Sequence, residues 1–224
     1  MTLDMNQAAP EKSGDLIPDG TYARVALHIR PGGVDGDSEA DRGLLKPSTR
    51  PGSDVLSLDA EFTVLTGPYA RRRFWQLFTV KGGKCDAEGQ SIGWKISLGQ
   101  LRALLDSSLG LAPDDCSETA HEQRVLRGLV DLNGREFAAK IRVEPSRDPA
   151  YRDANRLDEV VPATAPEWRR IMDGETVPAQ PSSMPRAADK LPQAAAQSAP
   201  EPAAQTAAQP AAPRAEAGPG WVTR

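Results

Sequence analysis

The sequence predicts a mainly β fold, built from five short antiparallel strands with one helix between the third and the fourth. Apolar and polar residues alternate with a period of two at residues 56–64 and again at 135–144, which is typical of strands with one buried face. Leucines recur at helical spacing between residues 97 and 110. Turn-forming residues separate such segments, as in Thr66-Gly67-Pro68-Tyr69. These observations favour hairpins joined to a single long helix.

The first half of the chain contains the three leading strands. Residues 21–30 form the first, because apolar and polar side chains alternate along them. Residues 31–54 are rich in Gly, Asp, Ser and Pro and form a long loop, from which Leu44-Leu45 is expected to return to the core. The second strand at 56–64 and a third at 73–80 then form an antiparallel hairpin.

The second half of the chain begins with the helix. Ser97 and Gln100 match a capping box at its start, and Gly110 is suited to its C-terminal cap. The remaining predicted elements are a weaker helix at 117–126, a tight turn at Asn133-Gly134, strands at 135–144 and 155–161, and a short helix at 168–172 behind a Thr164–Glu167 capping box. This order of elements is that of an OB-fold barrel, whose second and third strands bind oligonucleotides.

Composition divides the chain into three regions. From about residue 175 onward Ala, Pro, Gln and Ser dominate, and few side chains could be buried, which is typical of disordered segments. We therefore predict a disordered N-terminus at 1–14, an OB-fold-like domain at 15–174 and a disordered Ala/Pro-rich tail at 175–224. No apolar run approaches the length of a membrane span and no signal peptide is recognisable, so a cytoplasmic protein without membrane contact is expected.

Charge and aromatic residues concentrate in the predicted hairpin. The net charge of −4 argues against a general affinity for nucleic acid, so any binding must come from a local patch. No acid occurs between Glu61 and Asp86. Cations that track phosphates and exposed rings that stack on bases are the two devices that hold single strands. The predicted nucleic-acid-binding residues are Tyr69, Arg71, Arg72, Arg73, Trp75, Lys81 and Lys84, supported by Lys140 and Arg142 on the outer face of the fourth strand.

Strand alternation assigns the two neighbouring rings of the hairpin to opposite faces. Phe74 shares a face with Phe78 and Val80 and is predicted to be buried, whereas Trp75 is predicted to be exposed. The competing interpretation is that both rings belong to the core and that the arginines are a solvated turn.

Four segments together resemble an uncharacterised family of phage and prophage proteins. They lie at residues 17–22, 56–62, 67–75 and 133–137. Members of that family are regarded as single-stranded DNA-binding proteins that act with phage recombination or replication genes, so the resemblance implies this function and an OB-fold-like domain. The insertion at 31–54, Ala70 in place of an expected glycine, and a Gly-Trp-Val-Thr-Arg end instead of an acidic tip depart from the expected pattern.

The leading hypothesis is a non-enzymatic single-stranded DNA-binding protein, with no cofactor or metal, that partners recombination or replication proteins and self-associates. An alternative is an adaptor that recruits a partner through Trp221 in the tail. A third hypothesis is a metal-dependent nuclease using Asp59 and Glu61, which share a strand face. His28 and His121 lack the ligand spacing of a zinc site, and no phosphate-binding glycine loop occurs, so no catalytic residue is assigned.

Overall fold

The computed structural model describes residues 16–146, 148 and 150–182. The predicted terminus at 1–14 and most of the predicted tail, including Trp221, lie outside the described residues. The strands are β1 (Thr21–Arg30), β2 (Lys46–Pro47), β3 (Leu56–Val64), β4 (Arg73–Lys81), β5 (Glu136–Glu144) and β6 (Ala154–Val160). The α-helices are α1 (Ile92–Leu109), α2 (Glu118–Gln123) and α3 (Trp168–Met172), and short 3₁₀ helices lie at Glu39–Asp41 and Leu129–Leu132.

The six strands form one antiparallel sheet. β3 pairs with β4 on one side and with β1 on the other, β1 pairs with β5, and β5 pairs with β6. The short β2 pairs with the start of β3 through Lys46 and Pro47. The mainly β antiparallel fold is therefore confirmed, with the helix α1 between β4 and β5 as predicted.

The sheet is not closed into a barrel, so the five-stranded OB-fold-like barrel predicted from the order of elements is not confirmed. Among the described residues no backbone ladder joins the two edge strands, β4 and β6. A side chain links them instead: Arg156 in β6 donates a hydrogen bond to the Trp75 carbonyl in β4, at 2.6 Å. Helix α1 packs against β4, β5 and β6 and covers the core where the two edges approach each other.

The core lies on the inner face of the sheet, beneath α1. Phe62 in β3 is its centre, stacked on Phe74 at 5.0 Å between ring centroids and in edge contact with Phe78 and Phe137. Such aromatic pairs contribute about 0.5–1.5 kcal/mol each beyond the area that they bury. The alternation predicted for β3 and β4 therefore places the aromatic core correctly.

The opposite face is less exposed than the alternation of β3 and β5 predicts. Asp59 is 4% exposed and Lys140 5%, although both were expected on solvated strand faces. β3 and β5 each have a neighbouring strand on both sides, so side chains of those strands help to cover Asp59 and Lys140. A charged side chain is tolerated in such a place only when it is paired.

The N-cap of helix α1 lies six residues before the predicted one. Ser91 is the N-cap, and its side chain accepts a hydrogen bond from the Trp94 amide at 3.2 Å. Ser97, the predicted cap, is a buried residue inside the helix. The predicted C-terminal cap is confirmed, because Gly110 adopts φ 70°, a left-handed conformation that favours glycine.

Two segments without regular structure pack on the sheet. Leu44 and Leu45 in the predicted loop 31–54 are buried, which confirms that this part of the loop returns to the core. Residues 177–182, here called the strap, follow α3 and lie against β1, β5 and β6. In the strap the Gln180 amide donates to the Gly20 carbonyl and the Ser182 hydroxyl to Asp158. The packed chain thus extends past the predicted domain boundary at residue 174.

Candidate nucleic-acid interface

β4 presents the candidate interface by simple strand alternation. Phe74 is 1% exposed and Trp75 is 40% exposed, as predicted for the two neighbouring rings. Arg73 and Leu77 lie on the same face of β4 as Trp75 and are also exposed. The alternative with both rings in the core is therefore wrong. A partly exposed tryptophan flanked by an arginine and a leucine remains on the outer face of an edge strand.

Side chains from β1 and β3 hold the Trp75 ring in position. Its Nε1 donates a hydrogen bond to Glu61 at 3.0 Å, directly across the β3–β4 ladder. The Arg30 guanidinium lies 5.9 Å from the ring centroid, within reach of a cation–π interaction. Arg73 pairs with the same Glu61 at 3.3 Å. Contacts within the protein therefore fix the orientation of the ring.

β3 also brings two acids into a patch that looks purely cationic in sequence. Asp59 accepts hydrogen bonds from Arg30 at 2.6 Å and Lys46 at 2.7 Å. Burial opposes ionisation of this carboxyl, but the two cations outweigh it, and the pKa of Asp59 lies below its ordinary value. Part of the positive charge of the patch is therefore neutralised from within.

The metal-dependent nuclease hypothesis receives no support from these acids. Asp59 is occupied by Arg30 and Lys46, and Glu61 by Arg73 and Trp75. Within the described part of the chain, no group of three or more His, Cys, Asp or Glu side chains could hold a metal ion.

A groove of about 540 Å³ follows the gap between β4 and β6, and we call it the seam groove. Its charged lining residues are Arg30, Lys46, Arg142, Arg156, Asp59, Glu144 and Asp158, and its neutral ones are Trp75, Gln76, Leu77, Gln100 and Leu157. A smaller cavity of about 360 Å³ shares Trp75 and Arg156 with it and adds Arg72 and Arg73. Together the two form a path along β4 on which cations outnumber acids.

Sequence reasoning missed two cations of this path, Lys46 and Arg156. Lys46 lies in the predicted loop and reaches the interface only because β2 pairs with β3. Arg156 alternates with the apolar Leu157 in β6, a pattern that already indicates an outward side chain. What the pattern does not indicate is that β6 approaches β4 across the open edge.

Of the four other predicted cations outside the turn, only Arg142 lines the seam groove. Lys140 is buried under the strap, 3.6 Å from Asp158, and is therefore not part of an exposed cationic face. Lys81 pairs with Asp37 at 2.5 Å, and Lys84 is exposed but does not line the seam groove. Arg142 lines the groove beside Glu144.

The turn between β3 and β4 carries the remaining predicted cations. Arg71 is exposed and has φ 70°, the left-handed region that non-glycine residues rarely adopt. The Arg72 guanidinium lies 5.9 Å from the centroid of the Tyr69 ring, which itself packs on the core. Tyr69 is thus partly buried against the core and has an arginine near its ring, and it is a weak candidate for base stacking.

Comparison with protein-family models, curated proteins and solved structures found no match. A search of the described residues for a helix long and apolar enough to cross a bilayer also found none. The geometry of the interface is therefore the ground on which a function can be inferred.

Proposed function

We propose that this protein binds single-stranded DNA, without catalysis, along the seam groove and the outer face of β4. The observation that carries the proposal is Trp75, an oriented and partly exposed ring on an edge strand that lines both cavities of the path together with several arginines. Base stacking on an aromatic side chain contributes about 1–3 kcal/mol per base and is tolerant of sequence.

The fold proposed for this function is a partly open barrel of the OB type. The strand order β4-β3-β1-β5-β6 and the position of α1 between β4 and β5 support it. So does the approach of β4 to β6, because an OB-fold is a five-stranded Greek-key barrel that is partly open. In such a barrel β3 and β4 correspond to the two strands whose face binds oligonucleotides.

Phosphate contacts would come from arginines whose hydrogen-bonding capacity is not exhausted by protein partners. Among the described residues, the Nε atoms of Arg30 and Arg142 are buried and have no hydrogen-bond partner, and both arginines line the seam groove. A phosphate oxygen is an acceptor that would satisfy such a donor once the guanidinium turns its Nε toward the groove. Release of condensed counterions then makes binding salt-dependent.

The acids within the path shape the expected affinity. Asp59, Glu61 and Glu144 already pair with several of the cations, so one molecule should bind weakly and at low salt. Self-association would multiply weak contacts on one strand, and we include it in the proposal. A role in phage-type replication or recombination completes the proposal and rests on the resemblance to phage and prophage proteins.

The test is a fluorescence anisotropy titration of labelled oligo-dT at low and moderate salt. Trp75→Ala should weaken binding by about 1–3 kcal/mol and leave the salt dependence nearly unchanged. The Arg71/Arg72/Arg73→Ala triple variant should make the dependence of log affinity on log salt shallower, by about 0.7 for each phosphate that the protein no longer neutralises.

Arg169→Ala/Arg170→Ala is the control: it removes two positive charges from α3, against three in the triple variant, and leaves the seam groove intact. Its salt dependence should resemble that of the wild type. Absence of binding by the folded wild-type protein at low salt would refute the proposed function.

A further inference from the structure

A second groove lies between α1 and α2, and we call it the helical groove. Its volume is about 590 Å³, and apolar side chains form most of its lining: Leu98, Leu101, Leu105, Val125, Leu126, Leu129 and Leu132. It shares no lining residue with the seam groove. It is therefore a separate feature of the molecule, and nothing in the proposed DNA binding uses it.

Two of its apolar residues are left in solvent. Leu98 is 49% exposed, although its spacing in α1 predicts a core position with Leu101, Leu104 and Leu105. Val125, just after α2, is 71% exposed. Exposed apolar side chains that meet in one concave surface are typical of interaction sites rather than of ordinary surface.

The polar lining of the helical groove has one sign of charge. It consists of Lys95, Arg102, His121 and Arg124, and no acid is among the lining residues. Arg124 donates hydrogen bonds to Asp106 in α1, at 2.6 Å, and to backbone carbonyls of the segment that joins α1 to α2. Its side chain therefore links the two helices. Arg102 is different: its side chain is 53% exposed and its contacts to Asp106 and Pro113 are long, at 3.5 and 3.4 Å.

Gly99 lies in the wall of this groove, in the interior of α1. A Cβ atom there would have no neighbour within 4 Å, so packing inside this chain does not require a glycine. Glycine in a helix interior costs about 1 kcal/mol relative to alanine. A residue that weakens the helix and widens the groove fits a surface on which another backbone comes close.

We propose that the helical groove docks an acidic amphipathic segment of a protein partner. The apolar residues of that segment would cover Leu98 and Val125, and its carboxylates would face Arg102 on the rim and Lys95, which already pairs with Asp86. Charge complementarity selects this occupant over the segment around Trp221, because residues 214–224 contain two arginines and a single acid, Glu216.

The test uses two fluorescent peptides of about 16 residues, roughly four helical turns, added to the full-length protein. Both carry leucines at i, i+3, i+4 and i+7; one has glutamates at its other positions and the other has lysines. The glutamate peptide should bind about tenfold or more tightly than the lysine peptide. Arg102→Ala should reduce that preference.

Two exposed residues of α1 provide a matched pair of variants. Leu98→Asp should abolish binding of the glutamate peptide, whereas Ile96→Asp should not, because Ile96 is 61% exposed but does not line the groove. Gly99→Leu should also block binding while circular dichroism shows a folded, unweakened helix. These variants separate loss of the groove from loss of the fold.

Equal binding of the two peptides, binding of neither, or equal loss in Leu98→Asp and Ile96→Asp would overturn the proposal. Sedimentation gives a further outcome: a dimer of the wild type that Leu98→Asp dissociates would assign the groove to a second copy of the chain instead. A rise in peptide affinity on Trp221→Ala would assign it to the chain's own C-terminal segment.

Discussion

Asp59 pairs with two of the cations that line the seam groove. It is buried on the central strand β3 and accepts hydrogen bonds from Arg30 and Lys46. These two cations come from β1 and β2, 29 and 13 residues away in sequence. One carboxylate therefore orders two cations of the seam groove and at the same time reduces their attraction for a phosphate.

Asp59→Asn should have opposite effects on stability and on DNA binding. Loss of two charge-assisted hydrogen bonds should lower the free energy of unfolding by about 1–3 kcal/mol, since Arg30 and Lys46 are partly exposed and can be rehydrated. The released charge should strengthen oligo-dT binding and steepen its salt dependence by about 0.7. Urea denaturation and anisotropy titration at several salt concentrations measure the two effects.

Asp131→Asn makes the same change of net charge outside the seam groove, where Asp131 pairs with the exposed Arg127. It should leave DNA binding nearly unchanged. Equal strengthening by both variants would mean that net charge alone, rather than the groove, governs the affinity.

At the scale of elements, the start of α1 depends on a contact that joins it to the hairpin. The Ser91 side chain accepts from the Trp94 amide and also donates to the Gly82 carbonyl at 2.7 Å. Gly82 follows β4, so the cap couples the helix to the end of the strand that carries Trp75. The sequence pattern around Ser97 and Gln100 contains no sign of this link.

Ser91→Ala should destabilise the protein by about 1 kcal/mol, the usual cost of losing an N-cap. Ser97→Ala, at the cap position favoured by the sequence pattern, should cost less because Ser97 lies inside the helix and caps nothing. Chemical denaturation of the two single variants tests this order. A larger loss in Ser97→Ala would place the helix start at the residue predicted from sequence.

The strap is an element without regular structure that closes one side of the sheet. It covers Lys140 and Tyr22: the Lys140 Nζ donates to the Pro181 carbonyl at 3.5 Å, and the Tyr22 hydroxyl donates to Gln180 at 3.2 Å. Burial, followed by the nearby acids Glu167, Glu159 and Asp158, raises the pKa of Tyr22. The strap thus buries Lys140 on the face of β5 that the sequence predicts to be cationic and exposed to solvent.

Gly20→Ala should release the strap. Its φ is 75°, and a Cβ atom would lie 1.8 Å from the Gln180 carbonyl oxygen. Gly134→Ala is the control, with φ 81° and nothing within 4 Å of its Cβ. Both should lose about 1–2 kcal/mol from backbone strain. Only Gly20→Ala should also lose amide protection at Gln180 in hydrogen exchange; equal protection in the two variants would contradict the packing of the strap on Gly20.

At the scale of the whole molecule, several carboxyl groups are stabilised in their ionised form by folding. The pKa values of Asp86, Asp115 and Asp131 are lowered, chiefly by hydrogen bonds from Lys95, the Ser117 amide and Arg127 respectively, and Asp59 joins them. A carboxyl whose folded pKa lies below its unfolded value contributes stability that is complete above the unfolded pKa.

The free energy of unfolding should therefore be nearly constant from pH 7 to pH 5 and should fall below about pH 4, the unfolded pKa of aspartate. Urea denaturation at pH 7, 5 and 3 measures it. Asp59→Asn should lose less stability between pH 5 and pH 3 than the wild type. A stability that is unchanged down to pH 3 would contradict the assigned ion pairs.

The open seam is also a property of the whole molecule. β4 ends at Lys81 and β6 begins at Ala154, so 72 residues separate the two strands in sequence. The groove between them exists only because the fold brings the two strands close together. The same assembly brings Arg156 to the Trp75 carbonyl and to Glu144 in β5. Local patterns indicate that these residues face outward but do not say which of them meet.

The sequence by itself determined five of the six strands, the turn of the hairpin, the end of α1 at Gly110 and the opposite orientations of Phe74 and Trp75. These features depend on alternation and on backbone preferences, which act over a few residues. Tertiary structure decided the pairing of Asp59, the burial of Lys140, the start of α1 and the open seam. Each of these features depends on residues distant in the chain, because the groups that pack against a side chain decide its pairing and its desolvation. A local sequence pattern does not identify those groups.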